Sequence, residues 1–190
     1  MKSIRLNFKV FIVISSLFLI SFFSSQIFPM QVYAQSNTTA NPSGLKVPRF
    51  SSTRSKPINV RVGPGKKYEI SWVYVKSGIP IEVIAEFDVW RKIKDYDGSE
   101  GWIHQSLVSS KRVALIKEEL DKQALFAKPN ENTKIIAWLG ASYPLELKKC
   151  DIKWCEIQIK FISNGKKEKS LKGFILRSKI WGIYKNENFD

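Results

Sequence analysis

Residues that usually carry enzymatic or metal chemistry are scarce in this chain. Its 190 residues include one histidine, His104, and two cysteines, Cys150 and Cys155. A catalytic nucleophile needs a base and an orienting group within reach, and the histidine lies far in sequence from both cysteines. No phosphate-binding glycine loop and no zinc-ligand spacing occurs. We therefore expect no catalysis, no cofactor and no metal site; an enzyme would have to depend on His104.

Acidic residues are also few, with 17 Asp and Glu against 31 Lys and Arg and a net charge of +14. Such an excess of positive charge predicts an anionic neighbour: a phosphate-bearing lipid surface, an acidic polymer or an acidic protein. In a cytosolic protein, nucleic acid would be the first expectation. The N-terminal segment argues against that compartment, and we expect no nucleic-acid partner.

Residues 1–34 have the order of a secretory signal peptide. Three cations within the first nine residues precede an apolar run over 10–23, and residues 32–34 include the small residues that a signal peptidase reads. The apolar run is shorter than the about 20 residues of a membrane span. We expect an exported protein of the periplasm or cell envelope, without a stable membrane span once the signal is cleaved. An uncleaved anchor is the alternative.

The rest of the chain carries one pattern of short strands twice. Pro80-Ile-Glu-Val83 aligns with Pro144-Leu-Glu-Leu147, and a tryptophan follows each segment at the same distance. Residues 58–62 alternate apolar and polar side chains, as a half-buried strand does. Asp97-Gly98 is a strong signal for a two-residue hairpin turn. Five or six such strands in each half are typical of a small, partly open barrel.

The predicted fold class is therefore all-β, with two small β barrels in tandem after the signal peptide. The predicted boundaries are 1–34 for the signal peptide, 35–48 for a flexible linker, 49–112 for the first barrel, 113–184 for the second barrel and 185–190 for a C-terminal tail.

The first barrel resembles the bacterial SH3-like domains, and the whole arrangement is similar to an exported subgroup with such domains in tandem. The residues that carry the resemblance are Asn59-Val-Arg-Val-Gly-Pro-Gly65, Tyr68, Trp72-Val-Tyr74, Gly78, Pro80, Trp90 and Gly101-Trp-Ile103. The resemblance implies SH3-like barrels in an exported, wall-associated protein. Known ligands of such domains are often peptidoglycan peptides, which the resemblance also implies here.

Aromatic residues are concentrated in the first barrel, where they predict a groove for an extended peptide. The candidates are Tyr68, Trp72, Tyr74, Trp90 and Trp102. The alternative is that Trp90 and Trp102 are residues of the barrel wall and core.

Three cations, Arg61, Lys66 and Lys67, flank the Gly63-Pro-Gly65 loop and could bind a carboxylate or a phosphate. The alternative interpretation is that these three cations are ordinary solvated charges at the surface. Cys150 and Cys155 are most simply a disulfide in an oxidising compartment, with free thiols or a metal site as alternatives.

Together these features predict a non-catalytic, exported binding module of the cell envelope. Its expected ligand is cell-wall (peptidoglycan) peptide or another anionic envelope polymer. The alternative is a protein–protein interaction adaptor in the periplasm or cell envelope, with an envelope protein as its partner.

Overall fold

The computed structural model describes residues 41–117, 119, 121–141, 143–163, 165 and 167–189. The predicted signal peptide, residues 1–34, lies outside the described residues, as do positions 35–40 of the predicted linker. Among the described residues, no helix has the length and hydropathy needed to cross a membrane.

The first sheet contains seven antiparallel strands in the spatial order β3-β2-β6-β5-β4-β1-β7. Its strands are β1 (Arg49–Thr53), β2 (Ile58–Arg61), β3 (Ile70–Tyr74), β4 (Pro80–Phe87), β5 (Trp90–Lys94), β6 (Glu100–His104) and β7 (Val108–Ser109). A single 3₁₀ turn, Gln105–Leu107, separates the last two strands.

The second sheet repeats this connectivity with every strand number raised by seven, in the order β10-β9-β13-β12-β11-β8-β14. Its strands are β8 (Val113–Ile116), β9 (Lys122–Phe126), β10 (Ile135–Gly140), β11 (Leu145–Cys150), β12 (Trp154–Ser163), β13 (Lys167–Leu176) and β14 (Ile180–Trp181). A second 3₁₀ turn, Arg177–Lys179, precedes β14. The predicted all-β fold class is confirmed.

Each sheet curls around its own apolar core because apolar residues alternate with polar ones along the strands. In β2, for example, Ile58 and Val60 are fully buried while Asn59 between them is exposed. The first core consists of Ile58, Val60, Ile81, Val83, Ile93 and Ile103. The second core includes Ile116, Leu125, Leu145, Leu147, Ile157 and Ile175.

One glycine in each sheet allows two strands to approach closely. A Cβ atom at Gly101 would lie 2.4 Å from Cγ1 of Val60, and one at Gly173 would lie 2.7 Å from Cγ of Leu125. Both glycines face a buried residue of the neighbouring strand, so a larger side chain at either position would push the strands apart.

The predicted disulfide is confirmed: Cys150 and Cys155 lie opposite each other on β11 and β12 and are bonded, with an S–S distance of 2.06 Å. The turn between them is fixed by Asp151, whose Oδ1 accepts hydrogen bonds from the backbone N–H groups of Trp154 and Lys153, both at 2.7 Å. These two bonds lower the pKa of the Asp151 carboxyl.

The two sheets pack against each other through aromatic rings within one compact unit, residues 39–190. Phe50 of β1 contacts Trp181 at 5.1 Å and Tyr184 at 4.6 Å between ring centroids. The Tyr184 hydroxyl donates a 2.8 Å hydrogen bond to Oε1 of Glu82. Burial raises the pKa of Tyr184, and this bond raises it further. We call Phe50, Tyr96, Trp181 and Tyr184 the aromatic interface; Tyr96 also contacts Trp181, at 5.5 Å.

Both ends of the described chain contact the barrels. Ser43 donates to Glu86 from its backbone N–H, at 2.9 Å, and from its hydroxyl, at 2.7 Å. The Glu86 side chain is fully buried and also binds Arg49 and Arg91. Burial would raise the pKa of Glu86, but the bonds from Ser43 and Arg49 outweigh it and lower that pKa. At the other end, the backbone of Phe189 pairs with Cys150.

Replacing both cysteines by alanine should lower the free energy of unfolding by about 2 kcal/mol, because the bond closes a short loop in the unfolded chain. Urea unfolding of the oxidised protein, the reduced protein and the Cys150→Ala/Cys155→Ala variant measures this. Reduction should leave the double variant unchanged. Equal midpoints for the oxidised and reduced protein would contradict the prediction.

Phe50→Ala should destabilise the protein by about 3 kcal/mol, because it removes a large buried ring from the aromatic interface. Phe87→Ala is the matched control, since the Phe87 side chain is 59% exposed and its loss should cost less than about 1 kcal/mol. Urea unfolding followed by tryptophan fluorescence compares the two. Similar losses of unfolding free energy in Phe50→Ala and Phe87→Ala would contradict the stabilising role assigned to Phe50.

Candidate functional site

The predicted loop Gly63-Pro-Gly65 connects β2 to β3 and holds the ring of Tyr68. A Cβ atom at Gly63 would lie 2.5 Å from Cδ1 of that ring, and one at Gly65 would lie 3.3 Å from Cδ2. The loop closes through backbone bonds, including Tyr68 N–H to the Gly65 carbonyl at 3.2 Å. The two glycines therefore let the Tyr68 ring lie flat against the loop while 36% of the residue stays exposed.

Two of the three predicted cations contact Tyr68 directly. The Nη1 of Arg61 donates a 2.7 Å hydrogen bond to the Tyr68 carbonyl, and the Nζ of Lys67 lies 5.3 Å from the centroid of the Tyr68 ring. A cation at this distance is attracted by the ring face. Lys66 is exposed in the same loop. The role of these cations in binding an anionic group stays a prediction.

Trp72 and Tyr74 lie on the inner side of β3, opposite Val60 and Ile58 of β2. Both pack partly against the first core, and their rings meet edge to face at 6.1 Å. The Tyr74 hydroxyl donates a 2.5 Å hydrogen bond to Oδ2 of Asp95. We call Arg61, Lys66, Lys67, Tyr68, Trp72 and Tyr74 the hairpin site, since all of them belong to the β2–β3 hairpin and its loop.

The Tyr74–Asp95 bond joins a hairpin strand to the residue that follows β5. Burial raises the pKa of the Tyr74 hydroxyl, and the hydrogen bond and negative charge of Asp95 raise it further, against a smaller opposing effect of Trp72. Tyr74 therefore stays protonated and rigidly oriented. No local pattern in the sequence relates these two residues, since they meet only when β3 and the end of β5 fold together.

Trp90 and Trp102 lie on the outer face of the first sheet. Ile93 and Ile103 of the same strands point into the core, and the alternation of a strand therefore places both tryptophans on the other side. Trp102 lies opposite Arg61 of the hairpin site on one side and Lys92 on the other. Both tryptophans are half-buried, and their part in one aromatic groove stays a prediction.

His104, the single histidine, stands at the start of the first 3₁₀ turn. Its Nδ1 lies 2.8 Å from the Ser106 hydroxyl, and its ring meets Trp90 edge to face at 5.6 Å. Both cysteines are joined in the disulfide, so neither offers a thiol. The contacts of His104 are those of a residue that caps a turn.

The second barrel carries different residues at the places equivalent to the hairpin site. Where Arg61 faces Trp102 in the first sheet, Phe126 faces Phe174 in the second. Its β9–β10 loop, residues 127–134, has no glycine. The two barrels therefore share a strand order but present different surfaces.

Residues 54–110 match the bacterial SH3 domain family. Two solved structures are similar to the chain, both from Trichomonas vaginalis. NlpC2 has a TM-score of 0.30 and 8% identity over 72% of this chain and 49% of that one; NlpC1 has a TM-score of 0.30 and 9% identity over 75% of this chain and 49% of that one. The chain spans about half the length of these structures. No curated protein matches the chain.

Gly63→Ala should displace the Tyr68 ring, because the new methyl group would overlap it. Gly65→Ala is the matched control, since its methyl group would lie 3.3 Å from Cδ2 of Tyr68, which is a tight contact without overlap. Comparing the amide and aromatic NMR shifts of the hairpin in the two variants measures the difference. Larger shifts at Tyr68 in Gly65→Ala than in Gly63→Ala would contradict the geometry.

The Tyr74–Asp95 bond predicts a loss of stability in alkaline solution. The folded state favours the protonated phenol, so Tyr74 contributes fully below pH of about 10, the ordinary pKa of tyrosine in an unfolded chain. Above that pH the unfolded chain ionises first, and the contribution falls as the pH rises. The difference in unfolding free energy between the parent protein and Tyr74→Phe should shrink from pH 8 to pH 11. A constant difference would contradict this assignment.

Proposed function

We propose that this chain, whose first barrel is a bacterial SH3 domain, is a non-catalytic binding module of the cell envelope. In this proposal the hairpin site of the first barrel recognises an extended peptide of the cell wall. The observation that carries the proposal is the exposed Tyr68 ring held on two glycines between Arg61 and Lys67.

The hairpin site combines an apolar surface with positive charge, which suits a short peptide with free carboxylates. Tyr68 offers a ring that is fixed before binding, so little conformational freedom is lost when a ligand packs on it. Arg61 uses one of its five N–H donors on the Tyr68 carbonyl. In this proposal the ammonium groups of Lys66 and Lys67 bind a carboxylate of the ligand.

The position of β3 favours an extended ligand over a compact one. Among the described strands, β3 lies at one edge of the first sheet and pairs only with β2. An edge strand has free backbone N–H and carbonyl groups, to which an extended peptide can add. Trp72 and Tyr74, on the inner side of the same strand, keep that edge rigid through their contacts with the core.

A protein–protein adaptor is the second candidate, and the outer face of the same hairpin favours it. Ile70, Val73 and Val75 are exposed there, which is typical of a surface that another protein covers. The aromatic interface would make the two barrels one rigid platform for such a partner. Stoichiometric recovery of one envelope protein with the chain would support this function.

Purified peptidoglycan sacculi should retain the protein at both low and high salt. Tyr68→Ala should weaken this retention by about tenfold, the effect of losing a central aromatic contact. Tyr143→Ala, in the second barrel, is the matched control because Tyr143 is 38% exposed and should leave retention unchanged. Co-sedimentation at several protein concentrations provides the measurement.

Retention that disappears in salt for the parent protein and both variants would indicate charge attraction alone, since exposed ion pairs are screened. Equal losses of retention in Tyr68→Ala and Tyr143→Ala would contradict the assignment of binding to the hairpin site. Absence of retention at low salt would favour the adaptor.

A further inference from the structure

The second barrel contains a cleft of about 860 Å³. Three elements enclose it: the turn between the two cysteines, the second 3₁₀ turn, and the residues that follow β14. Clefts of roughly 300–1,000 Å³ are typical of sites for small molecules. The topologically related cleft of the first barrel is smaller, about 460 Å³, and the N-terminal segment with Ser43 and Leu45 lines it.

The walls of this cleft are apolar. Ile152 lies in the turn between the two cysteines, and 80% of the residue is exposed. Trp181 and Ile183 also line the cleft and are half-buried. Trp181 is held by Phe50 and Tyr96 of the first barrel, so this wall is rigid before any ligand arrives.

The rim of the cleft is positively charged. Lys117 and Lys185 line it, and neither has a salt-bridge partner among the described residues. Lys153 lines the cleft as well and forms a salt bridge with Glu131, in which its Nζ lies 3.4 Å from Oε1. The buried guanidinium of Arg177 forms the floor, where it donates to the carbonyl oxygens of Asp151 and Tyr184. Glu131 is the single carboxylate among the lining residues.

We infer that this cleft binds an amphiphile with an anionic head group on an apolar chain. The head group would lie between Lys117 and Lys185, where a negative charge has two ammonium partners. The apolar chain would lie between Ile152 and Trp181, covering side chains that are otherwise in contact with water. A small inorganic anion would leave these walls uncovered, and a neutral chain would leave the two lysines unpaired. The site is separate from the hairpin site and does not depend on its function.

Isothermal titration of the purified chain with decyl phosphate, kept below its micelle concentration, tests the inference. We expect saturable binding of one molecule per chain, at least tenfold tighter than inorganic phosphate and absent for decyltrimethylammonium. Inorganic phosphate binding as tightly as decyl phosphate would overturn the inference, because the apolar walls would then contribute nothing. Equal binding of the cationic amphiphile would overturn it as well.

Two variants assign the binding to the cleft. Lys117→Gln/Lys185→Gln and Ile152→Ser should each weaken decyl phosphate binding about tenfold, while unfolding midpoints stay unchanged because these side chains lie at the surface. The control Lys56→Gln/Lys76→Gln removes the same charge from exposed positions of the first barrel that belong to neither site, and it should leave binding as it was. An equal loss in the control would overturn the assignment.

The two sources of such an amphiphile are a membrane lipid and a free anionic amphiphile. Flotation with phosphatidylglycerol vesicles, with and without decyl phosphate as competitor, distinguishes them: vesicle binding that decyl phosphate displaces indicates the lipid, and titration without vesicle binding indicates the free form. Retention on sacculi by Lys117→Gln/Lys185→Gln should equal that of the parent protein, so failure of this site leaves the peptide site untouched.

Discussion

The packing of Phe50 against Trp181 and Tyr184 is the interaction on which the rest of the arrangement depends. Phe50 belongs to the first sheet and the other two rings to the end of the second. A small barrel buries only part of its chain and is marginally stable alone. By sharing aromatic surface, each barrel adds to the buried area of the other, and the hydrogen bond from Tyr184 to Glu82 fixes their orientation.

This interface also determines what each barrel can present to a ligand. Because Trp181 is held from the first barrel, one of its faces forms a rigid wall of the second barrel's cleft. The hairpin site, in contrast, is built entirely within the β2–β3 hairpin and the core beneath it. The first barrel thus carries its candidate site locally, whereas one lining residue of the second barrel's cleft, Trp181, is held by rings of the first barrel.

Much of the fold could be predicted from local sequence patterns. The alternation in β2 and the turn at Asp97-Gly98 depend on period-two burial and on backbone conformation, which neighbouring residues determine. The contact of the Tyr68 ring with Gly63, five positions away, came from the structure. The sheet face on which Trp90 and Trp102 lie was harder to predict, since an aromatic residue suits both faces of a strand. Only the burial of the neighbouring residues decides which face it takes.

The all-β class, the cysteine pair and the aromatic and basic character of the β2–β3 hairpin can be read from residues that are near one another in the chain. The pairing of Tyr74 with Asp95, the aromatic interface and the cleft beside Ile152 arise only in the folded protein. These features join residues from distant strands, and their contacts depend on how twisted sheets close and pack, which local periodicity does not encode.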